Sequence, residues 1–273
     1  MKNTLIILLL SSSIFLVNTS FALEINSPWI QGGLIIGQTQ AENRIRFFKK
    51  DVRVNSEGFF AIGLGRDVSP KVTLVEIMPS GLERKYVFNV KQREYREQRI
   101  EGVPKRTVQV PEEALTRIRK EGRLTRAARK VHSTRQDFLS DFIWPAKGII
   151  SGVYGSRRVY NGEPRRPHYG VDIAAPQGSP VVAPSAGRVT LVHDNMYFSG
   201  GTLIIDHGHG VSSTFIHLHK VLVKEGDEVT QGQLIAEIGA TGRATGPHLD
   251  WRMNWFEQRL DPQLLFDSPP ERR

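Results

Sequence analysis

Short apolar runs separated by turn residues dominate positions 29–110, and their spacing has no helical period. The clearest pair is Lys71 to Met78 and Leu82 to Val90, which flank the turn residues Pro79-Ser80-Gly81. In the second run apolar side chains occupy alternate positions, as in a half-buried strand, and the glycine-containing turn favours a hairpin. The pattern predicts an N-terminal β domain, a small sandwich, over residues 23–110.

The hydrophobic period changes after Pro111. This proline suits the first turn of a helix, acidic residues follow it, and apolar residues then recur at helical spacing. Eight arginines and lysines lie between Arg117 and Arg135. They form either a solvated helix surface or a face that binds a polymer. We interpret residues 111–143 as a basic helical linker between two domains.

Glycine-rich strand patterns return from Trp144 onward. Segments such as Thr202 to Asp206 and Val211 to His219 are bounded by glycine, proline or asparagine turns. This spacing predicts a compact antiparallel β domain over residues 144–273. The predicted fold class is therefore mainly β, with a small N-terminal sandwich, a helical linker and a Gly-rich antiparallel C-terminal domain.

The first residues have the pattern of an export signal. Lys2 supplies a positive start, Leu5 to Val17 is almost wholly apolar, and Ser20-Phe21-Ala22 has the small residues of a cleavage site. The apolar run is shorter than the roughly 20 residues that span a bilayer. We expect a signal peptide over residues 1–22, cleavage after Ala22, no stable membrane insertion afterwards, and a periplasmic or secreted protein.

Composition narrows the classes of partner. The 273 residues include no cysteine, which excludes a disulfide framework and a lipid-modified cysteine at the cleavage site. The formal net charge is +9, so the protein is attracted to anionic polymers. For an exported protein the acidic cell envelope is the better candidate, and we expect no nucleic-acid partner.

Two short motifs far apart in the chain carry residues that can bind a metal. His168 and Asp172 are four positions apart, and His248 and Asp250 form a His-x-Asp pair. Catalytic zinc sites use three ligands from His, Asp and Glu, often from distant parts of the sequence, and leave a position open for water. His168, Asp172 and one residue of the second motif would supply such a set. The alternative is a His–Asp pair that stabilises a turn by hydrogen bonds.

Several segments of the C-terminal region resemble the LytM/lysostaphin-type peptidases, family M23, and occur in that family's order. They are Trp144-Pro145, Gly152-x-Tyr154-Gly155-Ser156-Arg157, His168 to Pro176, Ala183-x-x-Ala186-Gly187-x-Val189, His207-Gly208, Phe215-Ile216-His217-Leu218 and Thr245-Gly246-Pro247-His248-Leu249. The resemblance covers residues 144 to 265. It implies a zinc-dependent endopeptidase that cuts peptide cross-links of peptidoglycan in an open groove.

The resemblance also implies roles for individual residues. His168 and Asp172 take metal-ligand positions, while His217 and His248 take the two non-ligand positions that handle protons and the oxyanion. Simple alternation in the strand from Thr214 to His219 places His217 on the same face as Phe215 and His219, so that His217 can face a groove.

Asp250 departs from the family's His-x-His motif, in which the second histidine is the third ligand. A carboxylate oxygen lies as many bonds from Cα as histidine Nδ1 does, and carboxylates are ordinary zinc ligands. Asp250 is therefore our third predicted ligand for one Zn²⁺, with Mn²⁺ as a second candidate ion because the site is rich in oxygen. The alternative is a degenerate site in a module that binds the cell wall or activates a partner murein hydrolase.

Overall fold

The computed structural model describes residues 23–101 and 110–271. Across these residues the chain is mainly β, with one α-helix between two β regions, so the predicted fold class is confirmed. The predicted signal peptide, residues 1–22, lies outside the described residues. In the part of the chain that is described, no helix combines the length and the apolar character needed to cross a membrane.

The N-terminal region consists of two small antiparallel sheets. The predicted hairpin forms, and Gly81 at its turn adopts a φ of +85°, a conformation that glycine reaches without a Cβ clash. The sheets have the orders β1-β2-β5 and β4-β3-β6-β7. The strands are β1 (Glu24–Ile25), β2 (Leu34–Gln38), β3 (Arg44–Phe47), β4 (Lys50–Val52), β5 (Phe59–Gly63), β6 (Lys71–Ile77) and β7 (Glu83–Asn89).

Two elements connect this region to the C-terminal sheet. Strand β8 (Glu97–Ile100) pairs in parallel with residues 157–160 of the C-terminal region. Helix α1 (Glu112–Arg129) follows, with Pro111 at its N-cap and two glutamates in its first turn, as its sequence predicts. Short 3₁₀ turns lie at Asp137–Leu139 and, near the C-terminal end, at Pro262–Leu265.

The C-terminal region is built on one large antiparallel sheet. Its main path has the order β17-β14-β15-β16-β19-β12-β9, and β13, β18 and β20 pair at its margins. Its strands are β9 (Ile149–Gly152), β12 (Val171–Ala174), β13 (Pro180–Val182), β14 (Gly187–Met196), β15 (Gly200–Gly208), β16 (Val211–Val221), β17 (Glu228–Val229), β18 (Leu234–Ile238), β19 (His248–Trp255) and β20 (Gln258–Leu260). The remaining strands, β10 (Arg157–Tyr160) and β11 (Glu163–Pro164), form a separate small sheet with β8.

The two β regions share one hydrophobic core. Phe47 of β3 meets the ring of Trp255 of β19 edge to face, with 6.3 Å between ring centroids. Gly63 of β5 lies so close to Trp255 that an added Cβ would come within 2.5 Å of the tryptophan Cβ. Arg93 also forms a 2.8 Å ion pair with the buried Asp261. The N-terminal region therefore packs directly on the back of the C-terminal sheet.

Helix α1 packs on one face of the large sheet. Its Ala128 joins a small apolar cluster with Leu191, Met196 and Ile204 of β14 and β15. Ile204 is the register partner of Thr214, and Thr214 is the partner of Arg252 on β19.

Residues paired across adjacent strands project to the same face. Arg252 and Asp250 are two positions apart on β19 and also share a face. The helix therefore covers the face of the sheet that carries Asp250.

Candidate metal centre

The three predicted metal ligands converge on neighbouring strands. Asp172 of β12 and Asp250 of β19 are direct register partners, and His168 lies just before β12. His168 Nε2 is 3.0 Å from Asp172 Oδ1 and 3.3 Å from Asp250 Oδ2. One potential ligand atom from each residue lies within 4.8 Å of the others. The antiparallel register thus brings together residues that are up to 82 positions apart.

The two predicted non-ligand histidines lie beside this cluster. His248 Nε2 is 3.8 Å from Asp172 Oδ1, and the rings of His217 and His248 are 4.8 Å apart between centroids. His217 is almost fully buried, whereas the side chains of His168, Asp172 and His248 are 17–23% exposed. The cluster is therefore open to solvent on one side and closed behind His217.

Backbone carbonyls fix the tautomers of all three histidines. The Nδ1 atoms of His217 and His248 lie 2.8 Å from the carbonyl oxygens of Thr241 and Gly246, and His168 Nδ1 lies 3.2 Å from that of Val153. A carbonyl oxygen only accepts, so each Nδ1 carries the proton and donates it. The Nε2 atoms of His217 and His248 are each left with a free lone pair. Burial lowers the pKa of His217, which keeps that ring neutral near pH 7.

A bulge, not simple alternation, presents His217. Its φ is +65°, and the β15–β16 register shifts between the pairs Gly201–Leu218 and Leu203–Phe215. Phe215 and Leu218 both belong to the hydrophobic core. The prediction that Phe215, His217 and His219 share one face is therefore wrong: the extra residue of the bulge turns His217 away from the core side. His219 is exposed and its Nδ1 lies 3.4 Å from the side-chain nitrogen of Gln177.

The site favours a positive charge. Burial by itself lowers the pKa of His168, but the hydrogen bonds and charges of Asp172 and Asp250 outweigh it and raise that pKa to about 10. A proton between two carboxylates occupies the place that a cation would take. The cluster of one imidazole and two carboxylates therefore attracts a cation.

Arg252 is the feature that sequence reasoning missed. Its Nε donates to Asp250 Oδ1 at 2.9 Å and its Nη2 donates to Oδ2 at 2.5 Å, a two-pronged contact with a carboxylate that is 2% exposed. Burial opposes ionisation of Asp250, but the charge and hydrogen bonds of Arg252 hold its pKa below the usual range. The signal was present in the sequence, because residues two apart on one strand share a face.

The donor set fits a divalent metal ion. Asp172 Oδ1 is shielded from solvent, and its near polar neighbour is His168 Nε2 at 3.0 Å, so this oxygen has a lone pair with which to bind an ion. A Cβ at Gly152 would overlap the other oxygen of Asp172, so glycine keeps that carboxylate in place. His168 presents Nε2 and Asp250 keeps accepting capacity on Oδ2. Imidazole nitrogen with carboxylate oxygen is an ordinary zinc set.

Comparison with known proteins locates this region in a family. The model described as Peptidase family M23 matches residues 166–262. Peptidoglycan DD-endopeptidase ShyA of Vibrio cholerae serotype O1 is 38% identical over 109 residues, which are 40% of this chain and 25% of that protein. Peptidoglycan DD-endopeptidase ShyB of the same organism is 45% identical over 87 residues, 32% of this chain and 20% of that protein. The chain spans a quarter or less of the length of these relatives.

The fold similarity extends beyond that region. The crystal structure of a candidate M23 peptidase from Pseudomonas aeruginosa matches with a TM-score of 0.69 and 29% identity, over 87% of this chain and 94% of that chain. The resemblance that the motifs indicate is thus confirmed: residues 166–262 match peptidase family M23.

Proposed function

We propose that the protein is an exported zinc metalloendopeptidase that hydrolyses peptide cross-links of peptidoglycan. The observation that carries the proposal is the convergence of His168, Asp172 and Asp250 beside two histidines with free Nε2 atoms. Relatives named as peptidoglycan DD-endopeptidases support the substrate class. Export rests on the signal-peptide pattern of residues 1–22 and places the protein in the periplasm or outside the cell.

In this proposal His168, Asp172 and Asp250 hold one Zn²⁺, with Mn²⁺ as the second candidate ion. A bound zinc ion would polarise the scissile carbonyl and acidify a water molecule. His217 and His248 would then act through their Nε2 atoms: the lone pair of one accepts a proton from the attacking water, and the imidazolium so formed passes that proton to the leaving amine. The other ring would stabilise the developing oxyanion as an imidazolium, in which Nε2 also carries a proton. The carbonyls of Thr241 and Gly246 keep both rings in the tautomer that holds a proton on Nδ1 and presents the Nε2 lone pair to the site.

A second candidate is a module without catalytic metal that binds the cell wall or activates a partner murein hydrolase. The observation that favours it is the contact of Arg252 with both oxygens of Asp250, since a guanidinium neutralises the carboxylate that would hold the ion. The two candidates differ in one measurable property, the affinity of the folded protein for zinc.

The test combines metal content with product analysis. Mature protein purified without chelator is assayed for zinc by elemental analysis and then incubated with purified sacculi, whose soluble products are identified by mass spectrometry. We expect one zinc ion per chain and release of cleaved cross-links. His168→Ala should lose metal and activity together, because it removes the nitrogen ligand.

His217→Ala is the matched comparison, since it removes an imidazole from the same site but no proposed ligand. It should keep the zinc and lose roughly 10²–10⁴-fold in rate. A folded wild-type protein that takes up no zinc even when zinc is supplied would favour the second candidate. Equal zinc loss in both variants would show that the roles are assigned wrongly.

A further inference from the structure

Three arginines lie on the face of the sheet that carries the candidate metal centre, and we call Arg129, Arg252 and Arg259 the arginine cluster. Arg252 and Asn254 are two positions apart on β19, and Arg259 of β20 is the register partner of Asn254, so their side chains share that face. Arg129 is the last residue of α1, next to Ala128, which packs on the same face.

The cluster begins directly beside the metal centre. Arg252 Nη2 is 2.5 Å from Asp250 Oδ2, the oxygen that faces His168. The guanidinium carbon of Arg259 is 5.9 Å from the ring centroid of Tyr169, the residue after His168. A group held by Arg259 would therefore lie near Tyr169, the neighbour in sequence of the predicted ligand His168.

Two arginines of the cluster use only part of their hydrogen-bond donors within the described residues. Arg129 donates Nε to the carbonyl of Thr125 at 3.1 Å, and Arg259 donates Nη1 to the side-chain oxygen of Asn254 at 3.3 Å. Within residues 23–101 and 110–271, neither Arg129 nor Arg259 has a carboxylate oxygen within 4.0 Å. Each guanidinium carries five N–H groups, so both retain unused donors.

Burying these two positive charges costs free energy unless an anion pairs with them. Arg129 is only 8% exposed, and its pKa is lowered to about 9, first by burial and then by the charges of Arg259 and Arg252. The pKa of Arg259 is lowered to about 10 by burial and by the charge of Arg252. Like charges that repel in a partly desolvated place favour a bound counter-charge.

The carboxylates near the cluster do not supply that counter-charge. Asp250 is already paired with Arg252, and Asp172 belongs to the proposed ligand set. Glu257 is exposed and acts on Arg129 from beyond ion-pair distance. Zinc would also neutralise Asp172 and Asp250, which makes the vicinity more positive. An anion from outside the chain would thus find unpaired guanidiniums.

We propose that Arg129 and Arg259 bind a free carboxylate of the peptide substrate, close to the scissile bond. The planar guanidinium fork matches a carboxylate and gives stronger, more directional hydrogen bonds than a lysine would. This inference rests on the proposed function for the identity of the substrate, and it adds that the substrate class is an anionic peptide. Helix α1 would then be part of the binding groove, because it supplies Arg129.

The test measures binding, not turnover. The probes are the stem tetrapeptide of peptidoglycan, L-Ala-D-Glu-meso-diaminopimelate-D-Ala, and the same peptide with all its carboxylates amidated. Dissociation constants are measured by isothermal titration calorimetry on the mature protein, with zinc and after chelation. We expect the free acid to bind roughly tenfold or more tightly than the amide, as charge-assisted hydrogen bonds require.

Variants assign the preference to residues. Arg129→Gln and Arg259→Gln should each lose most of the preference for the free acid and leave binding of the amide unchanged. Arg123→Gln is the matched control, since it removes the same charge from an exposed position of α1 and should keep the preference. Circular dichroism and melting curves check that each variant is folded.

Two results would overturn the inference. One is equal binding of the two probes by the wild-type protein, which needs no variant to interpret. The other is an equal loss of the preference for the free acid in Arg123→Gln, which would show that the preference comes from net charge alone. A protein that prefers the acid but cleaves no sacculi would contradict the proposed function alone, whereas cleavage without any preference would contradict this inference alone.

Discussion

Arg252 donates to both carboxylate oxygens of Asp250, the third predicted metal ligand. Asp250 is 2% exposed, so its negative charge would be costly without a partner. In the metal-free protein Arg252 supplies the compensating charge, and in the metal-bound protein it would share Asp250 with the ion. The aspartate and the arginine therefore have to be understood as a pair.

The first prediction follows from that sharing. Arg252→Met should lower the free energy of unfolding of the metal-free protein by about 3 kcal/mol, because a buried carboxylate loses its main counter-charge. Zinc should then restore more stability in the variant than it adds to the wild type, since the ion becomes the replacement charge. Denaturant unfolding in chelator and in excess zinc measures both quantities.

The control for this prediction is Arg188→Met. Arg188 is exposed on β14 and away from the ligand set. Its replacement should therefore leave the free energy of unfolding near that of the wild type, both in chelator and in excess zinc. If zinc raised the stability of Arg252→Met and of the wild type by equal amounts, Asp250 would not be shared between Arg252 and the ion.

The second prediction concerns pH and His207. This ring is fully buried, its Nδ1 donates to the carbonyl of Ala186 at 2.7 Å, and its Nε2 lies 2.8 Å from the Ser213 hydroxyl. Burial lowers its pKa to about 4. The unfolded chain takes up this proton near pH 6.5, whereas the folded chain does so only near pH 4.

His207 therefore stabilises the fold fully above pH 6.5, and that contribution falls away as the pH drops towards 4. The loss amounts to about 3 kcal/mol in total. His207→Gln should be less stable at pH 7.5 but should show a shallower decline between pH 6.5 and 4.5, measured by denaturant unfolding at a series of pH values. Above pH 7 the free energies of unfolding of the wild type and of His207→Gln should change in parallel with pH. Equal pH slopes of the two proteins below pH 6.5 would contradict the lowered pKa of His207.

The third prediction tests the contact between the two β regions. Gly63→Ala places a Cβ against Trp255, which should force the N-terminal sheet away and cost about 1–3 kcal/mol through overpacking. Gly122→Ala makes the same chemical change inside α1, where the nearest atom is 3.4 Å away on the flexible Arg126 side chain. It should instead stabilise the protein by about 0.5–1 kcal/mol.

Thermal unfolding followed by circular dichroism compares the melting temperatures of the two alanine variants with that of the wild type. Opposite shifts of the melting temperature are expected. A Gly63→Ala protein as stable as the wild type would mean that the two β regions separate without cost.

The local pattern of the sequence was enough for much of the fold. Alternation and turn residues predicted the hairpin of β6 and β7, and the helical period after Pro111 predicted α1. These features depend on neighbouring residues, so a single chain segment contains the information. The spacing of His168 and Asp172 likewise indicated the candidate metal centre, because ligand chemistry is a property of side-chain types.

The tertiary structure decided what depends on residues far apart. The bulge that turns His217 towards the site is a matter of register between β15 and β16, and no alternation rule contains it. The packing of α1 on the face of Asp250 places Arg129 among residues more than a hundred positions away. The sequence determined the secondary-structure elements and the side-chain types of the candidate ligands, because both are local. Pairing across strands determined which charges face each other, because register and packing are set only when distant segments meet.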